Sequence, residues 1–256
     1  MAVLLLAIPS LTAAAALAAA PAPESTPGAP AFEQAFRFAS AITVDPKDMA
    51  LAQEGTVLDL GTAGALDRAL TLTGRIDGWR RGVAYAELAS MLAAAGRPDE
   101  ARAAIASAEA VRTETTGWPN PRISQHVATA WASLGDVERA GGISSSAAPE
   151  DRQYLGRPTA TLAAALGRSG RFDEAMATLA ALDGQADPDV AWWRTWGYTE
   201  LARLPSIDGN KRQAALAAAR RSSESIPGWR EAAALEQVAD AANDRGERGM
   251  ARSALE

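Results

Sequence analysis

The feature that most constrains this chain is that it repeats itself at long range. Gly78 to Ala108 reads GWRRGVAYAELASMLAAAGRPDEARAAIASA, and 150 residues further on Gly228 to Leu255 reads GWREAAALEQVADAANDRGERGMARSAL. Gly78, Trp79 and Arg80 align with Gly228, Trp229 and Arg230; Ala89 aligns with Ala239, Gly96 with Gly246, Ala101-Arg102 with Ala251-Arg252 and Ile105 with Leu255. Around and between these copies a glycine recurs at Gly61, Gly96, Gly135, Gly170, Gly209 and Gly246, at spacings of 35, 39, 35, 39 and 37 residues. Each lies between two apolar-periodic segments, where a helix C-terminus calls for a residue that tolerates the left-handed conformation. A period of this size is the mark of an array, in which each unit buries its apolar face only against its neighbours.

The kind of element follows from composition. Alanine dominates and runs of β-branched residues are nearly absent, which favours helix throughout. The chain has 256 residues, ample for a core. With no cysteine there is no disulfide framework, thiolate metal site or cysteine nucleophile, and the single histidine, His126, builds no histidine metal cluster. The formal net charge is -6 and the Lys and Arg residues are scattered, which argues against nucleic acid as a partner.

Residues 1–20 carry no charged side chain and read as the apolar region of a secretory signal peptide, cut after Ala18 or Ala20. Pro9 and the weakly apolar alanines favour cleavage over a retained anchor, so the expected destination is the periplasm or the exterior, with no stable membrane span after processing. Residues 21–30, PAPESTPGAP, form a Pro/Ala-rich linker. Phe32, Ala35, Phe36 and Ala39 recur at helical spacing and predict an N-terminal capping helix within 31–46. Asp45-Pro46 then opens the next helix, and residues 47–256 form the repeat domain.

Gly96-Arg97-Pro98-Asp99-Glu100-Ala101 and Gly170-Arg171-Phe172-Asp173-Glu174-Ala175 resemble the turn and second helix of tetratricopeptide repeats. The resemblance extends to a large-then-small pair on the first helix with a small residue early on the second: Leu88-Ala89 with Ala101, Val127-Ala128 with Ala140, Leu162-Ala163 with Ala175, and Val238-Ala239 with Ala251. Alanine at these places lets helix backbones approach where they cross. The spacing exceeds the roughly 34 residues usual for the family. Leu201-Ala202 fits the pattern, but Pro205 ends that helix early and SIDGN intervenes before the next; the unit around Gly61 matches poorly. The fold class implied is all-α, a right-handed α-solenoid of about six helix-turn-helix units.

The resemblance also implies a concave groove lined by the first helices, holding an extended peptide. Carried over by register, its middle is Arg122, Gln125 and Thr129 in the third unit, Arg157 and Arg168 in the fourth, and Trp196, Thr199 and Arg203 in the fifth. The second unit contributes Val83, Ala86, Ser90 and Ala93, and the sixth turns acidic with Glu236, Asp240 and Asp244. An arginine-lined groove suits an acidic segment or a chain terminus, because guanidinium binds carboxylate in bidentate fashion.

Seven tryptophans are many for this length. Trp79, Trp118 and Trp229 each follow a glycine, with Trp192-Trp193 in the matching place, so they read as packing residues that recur with the unit. Trp131 falls on the buried stripe. The competing reading is an aromatic platform for a glycan.

No nucleophile elbow, phosphate-binding glycine loop or HExxH is present. Ser144-Ser145-Ser146 reads as a loop, and His126 as a satisfied helical histidine. The expectation is an exported, non-catalytic binding or scaffold module with a protein or peptide partner and no cofactor. The alternatives are a binder of glycan or cell-wall fragments and, behind it, a glycan hydrolase using paired carboxylates. The last unit stops at Glu256 without a capping helix, which would leave an apolar end open to a partner or a second copy.

Overall fold

A computed structural model describes residues 29–148, 151, 154–185 and 187–244. The expected signal peptide, most of the expected linker, Gly246 and the C-terminal end expected to be open lie outside the described residues. Twelve helices are described: α1 (Ala29–Ser40), α2 (Pro46–Thr62), α3 (Leu66–Thr73), α4 (Arg80–Ala94), α5 (Pro98–Glu114), α6 (Pro119–Ser133), α7 (Val137–Ser145), α8 (Gly156–Arg168), α9 (Phe172–Ala180), α10 (Pro188–Arg203), α11 (Gly209–Ser223) and α12 (Trp229–Asn243).

From α2 onward they fall into sequential hairpins. Each first helix (α2, α4, α6, α8, α10 and α12) packs on the next first helix, and each second helix packs on its own partner and on the first helix that follows. The chain is thus all-α with neighbour-to-neighbour packing, consistent with a helical repeat. One apolar core runs from Phe36 in α1 to Ala242 in α12, and a small second cluster joins Ala191, Ile226 and Ala234. The large-then-small pairs sit inside that core: Leu88, Ala89, Ala101, Val127, Ala128, Ala140, Ala163, Ala175, Leu201, Ala202 and Val238 are almost fully buried.

The turns inside the hairpins share one hydrogen bond. Arg97 N donates to Leu92 O at 2.9 Å, Asp136 N to Trp131 O at 3.0 Å and Arg171 N to Leu166 O at 2.9 Å. Each spans a glycine with positive φ, at Gly96, Gly135 and Gly170. This is the six-to-one closure of a helix end, which requires the left-handed residue. In the first hairpin Ala65 N closes on Leu60 O at 3.1 Å, so the turn glycine is Gly64, with φ of 89°, and Gly61 is helical. Gly61 serves another purpose: a Cβ there would lie 2.7 Å from Leu88 Cδ2 and 2.9 Å from Met91 Sδ on α4. Gly209 is likewise no turn but the first residue of α11, whose cap is Asp208, accepting from Lys211 N at 2.8 Å. Pro205 forces Leu204 into extended backbone and ends α10 without a glycine.

Candidate functional site

Three first helices meet at a buried carboxylate. Glu87 on α4 accepts two hydrogen bonds from the Arg157 guanidinium on α8, the longer of them 2.9 Å from Nη2 to Oε2, and it also bonds His126 Nδ1 on α6. The Glu87 side chain is only 12 % exposed. Burial pushes its carboxyl up, but the Arg157 charge and the His126 hydrogen bond outweigh this and hold it well below its ordinary value of 4.5. Arg157 also lies over the Trp193 ring at 5.6 Å. Its fork is therefore spent on a carboxylate of its own chain. In chemical terms the cluster is a fixed, ionised strut spanning α4, α6 and α8.

The other expected groove residues divide by environment. Arg203 pairs with Glu200 at 3.0 Å and Asp244 at 3.3 Å. Thr129 and Thr199 are buried and bond their own helix, to Gln125 O at 2.9 Å and Trp196 O at 2.7 Å. Trp196 is half-buried, edge-on to Trp193 at 5.8 Å. Arg168 is exposed at the end of α8. Val83 and Ala86 belong to the core. Ser90 and Ala93 are half-buried, and Glu87 is the polar side chain of α4 that reaches α6 and α8.

Arg122 differs from the other arginines. It is exposed on α6, with its guanidinium 5.4 Å from the Trp118 ring centroid and 5.3 Å from that of Tyr154, and it has no salt bridge among the described residues. Trp118 in turn stands edge-on to Trp79 at 5.2 Å, and Arg80 lies over Trp79 at 4.7 Å. The Gly-Trp pairs place these rings where each first helix begins, after a glycine of positive φ at Gly78 and Gly117. Trp118 is 63 % and Trp229 75 % exposed, which departs from the packing role expected of them. Trp192 and Trp193 lie inside α10 rather than at its start. Trp131 is buried, its Nε1 donating to Glu109 at 3.3 Å.

Next to Arg122, a cavity of about 280 Å³ opens between α5, α6 and the end of α7. Ser144 and Ser145 close α7 rather than forming a loop; α7 has nine residues against seventeen in α5, and its glycines and serines hold helix weakly. Asn120 fixes the α5–α6 turn by donating from Nδ2 to Arg112 O at 2.8 Å and Thr115 O at 2.9 Å. The wall carries Arg112, Gln125, Ser144, Asp151 and Tyr154. Of these only Gln125 was foreseeable as a groove residue. Glu87 takes its significance from partners far along the chain, and Arg112 and Ser144 from lining one cavity, for which no local spacing gives a signal.

No protein-family model matches the chain, and no curated protein or solved structure matches it. Among the described residues no helix is long and apolar enough to cross a membrane, and no cluster of three or more His, Cys, Asp or Glu residues could hold a metal ion.

Proposed function

We propose that the chain is an exported, non-catalytic module of tetratricopeptide-like units, wound as a right-handed solenoid, that holds a peptide or protein segment against its first helices at α6. The observation that carries the reading is Arg122, an exposed guanidinium flanked by two aromatic rings and lacking a carboxylate partner among the described residues. Aromatic stacking pre-orients a guanidinium for a planar anion, so an acidic side chain or terminal carboxylate is the fitting contact. Arg157 and Arg203, which suited the same role on sequence grounds, are already paired within the chain.

The test is selection of linear peptides from a random displayed library on the full chain. Peptides rich in carboxylates should be enriched, their affinity should fall with salt, and Arg122→Glu should weaken them at least tenfold. Equal binding to the variant would remove the reading. The exposed Trp118 beside Trp79 supports a second reading, a platform for a sugar ring. Soluble oligosaccharides that quench tryptophan fluorescence in the native chain but not in Trp118→Ala would favour it.

A further inference from the structure

Buried polar atoms in folded proteins almost always have partners, and each exception asks for an explanation. Four such side-chain atoms stand without one among the described residues: Gln53 Oε1, Arg112 Nε, Gln125 Oε1 and Ser144 Oγ. Three of the four belong to residues that line the same cavity between α5, α6 and α7. They come from three different helices, so no one strained segment accounts for them.

We propose that this cavity binds a small zwitterion, a free α-amino acid with an aliphatic side chain. Arg112 can only donate, so the ligand must bring an acceptor, and a carboxylate is the strongest match for guanidinium. The Ser144 hydroxyl can add a second bond to it. On the same wall Asp151 is the one carboxylate among the described lining residues, and with the Gln125 oxygen it suits an ammonium group. Opposite charges facing one small space fit a ligand that carries both. Ile143 and Leu155 supply an apolar portion of the wall for the side chain. The volume lies just under the range of sites for drug-sized ligands, which fits a single amino acid better than a longer chain.

This site is separate from the Arg122 surface, although Tyr154 borders both, and it can be tested apart from it. Calorimetric titration of the full chain would use leucine, with leucinamide and N-acetyl-leucine as analogues lacking one charge each; the latter stands for the last residue of a peptide. Leucine should bind, and each analogue should bind at least tenfold more weakly, as should leucine to Arg112→Gln and Ser144→Ala. Arg102→Gln, an exposed change on the same helix, should leave leucine binding within twofold. Circular dichroism checks that the variants stay helical, and Ser144→Ala, the smaller change, carries the test if Arg112→Gln does not fold. No leucine binding, equal binding of N-acetyl-leucine, or indifference of leucine binding to Ser144→Ala would overturn the proposal.

Discussion

The seam that joins α4, α6 and α8 and the seam that joins α8 to α10 solve the same problem by opposite means. In the first, Glu87, His126 and Arg157 reach across three helices and close on one another as a buried charge cluster. In the second, the backbones come close because side chains are missing. A Cβ at Gly156 would lie 3.1 Å from Val190 Cα, and one at Gly167 would meet Leu201 and, at 2.7 Å, Leu204 Cδ1. A charge cluster fixes one geometry, since its hydrogen bonds are directional, but it fails badly when a partner is lost. Close packing of glycine is insensitive to pH and salt, and it fails when volume is added. One array therefore holds a seam dominated by charge and a seam dominated by shape, where the one charged contact is Arg157 over the Trp193 ring. The nearby Arg194 on α10 follows neither pattern. It is buried, yet it is satisfied by Ser222 at 2.7 Å, Leu182 O at 3.2 Å and the exposed Asp183 at 2.8 Å, so most of its partners are neutral.

The largest effect expected from breaking this contrast comes from the charge seam. Arg157→Met removes the main counter-charge and leaves Glu87 buried. Loss of one member of a buried pair costs about 3–5 kcal/mol. Because Arg157 is itself 28 % exposed, the lower end, about 3 kcal/mol, is expected in urea unfolding. Adding Glu87→Met should restore much of the loss, because the orphaned charge is then gone. If the two changes simply added, the cluster would not be coupled and the seam would be held by packing alone.

Acid should separate the seams next. The folded-state value of Glu87 is depressed, so its contribution is fully present above the unfolded value near 4.5 and is lost as pH falls below it. Stability of the native chain should therefore decline between about pH 4.5 and 3 more steeply than that of Arg157→Met, in which the main cause of the depression is absent. Parallel slopes would mean that other carboxylates dominate the acid response.

What could be read beforehand follows the same divide. Packing pairs such as Leu88-Ala89 and Val127-Ala128 lie next to one another in sequence and recur with the unit, so their burial is visible in the pattern. The turns at Gly96, Gly135 and Gly170 are local for the same reason. Glu87 is 39 residues from His126 and 70 from Arg157, so no local spacing marks it. Arg157 was recognisable as an inward-facing arginine; what could not be seen is that its carboxylate comes from its own chain. Gly61 shows the reverse confusion. A glycine near a helix end looks like a turn, but three residues on Gly64 makes the turn, and Gly61 is small because Leu88 presses on it.

That last distinction, between a glycine that turns the chain, one that admits a neighbour and one that does neither, can be measured directly within helices. In α8, Gly167→Ala adds a methyl against Leu201, which is fully buried and has no room to swing aside. Overpacking costs about 1–3 kcal/mol, against a gain of up to about 1 kcal/mol for replacing a helical glycine. A net loss of about 1–2 kcal/mol should result, unchanged between pH 7 and 4 because no charge is involved. In α2, Gly55 is exposed, and a Cβ added there would have nothing within 4 Å, so only the backbone effect remains. Gly55→Ala should raise stability by about 0.5–1 kcal/mol. Opposite signs at the two positions would show that the α8–α10 seam depends on the absence of a side chain. A gain at both would mean that Leu201 yields, and the seam would then owe its closeness to the surrounding core.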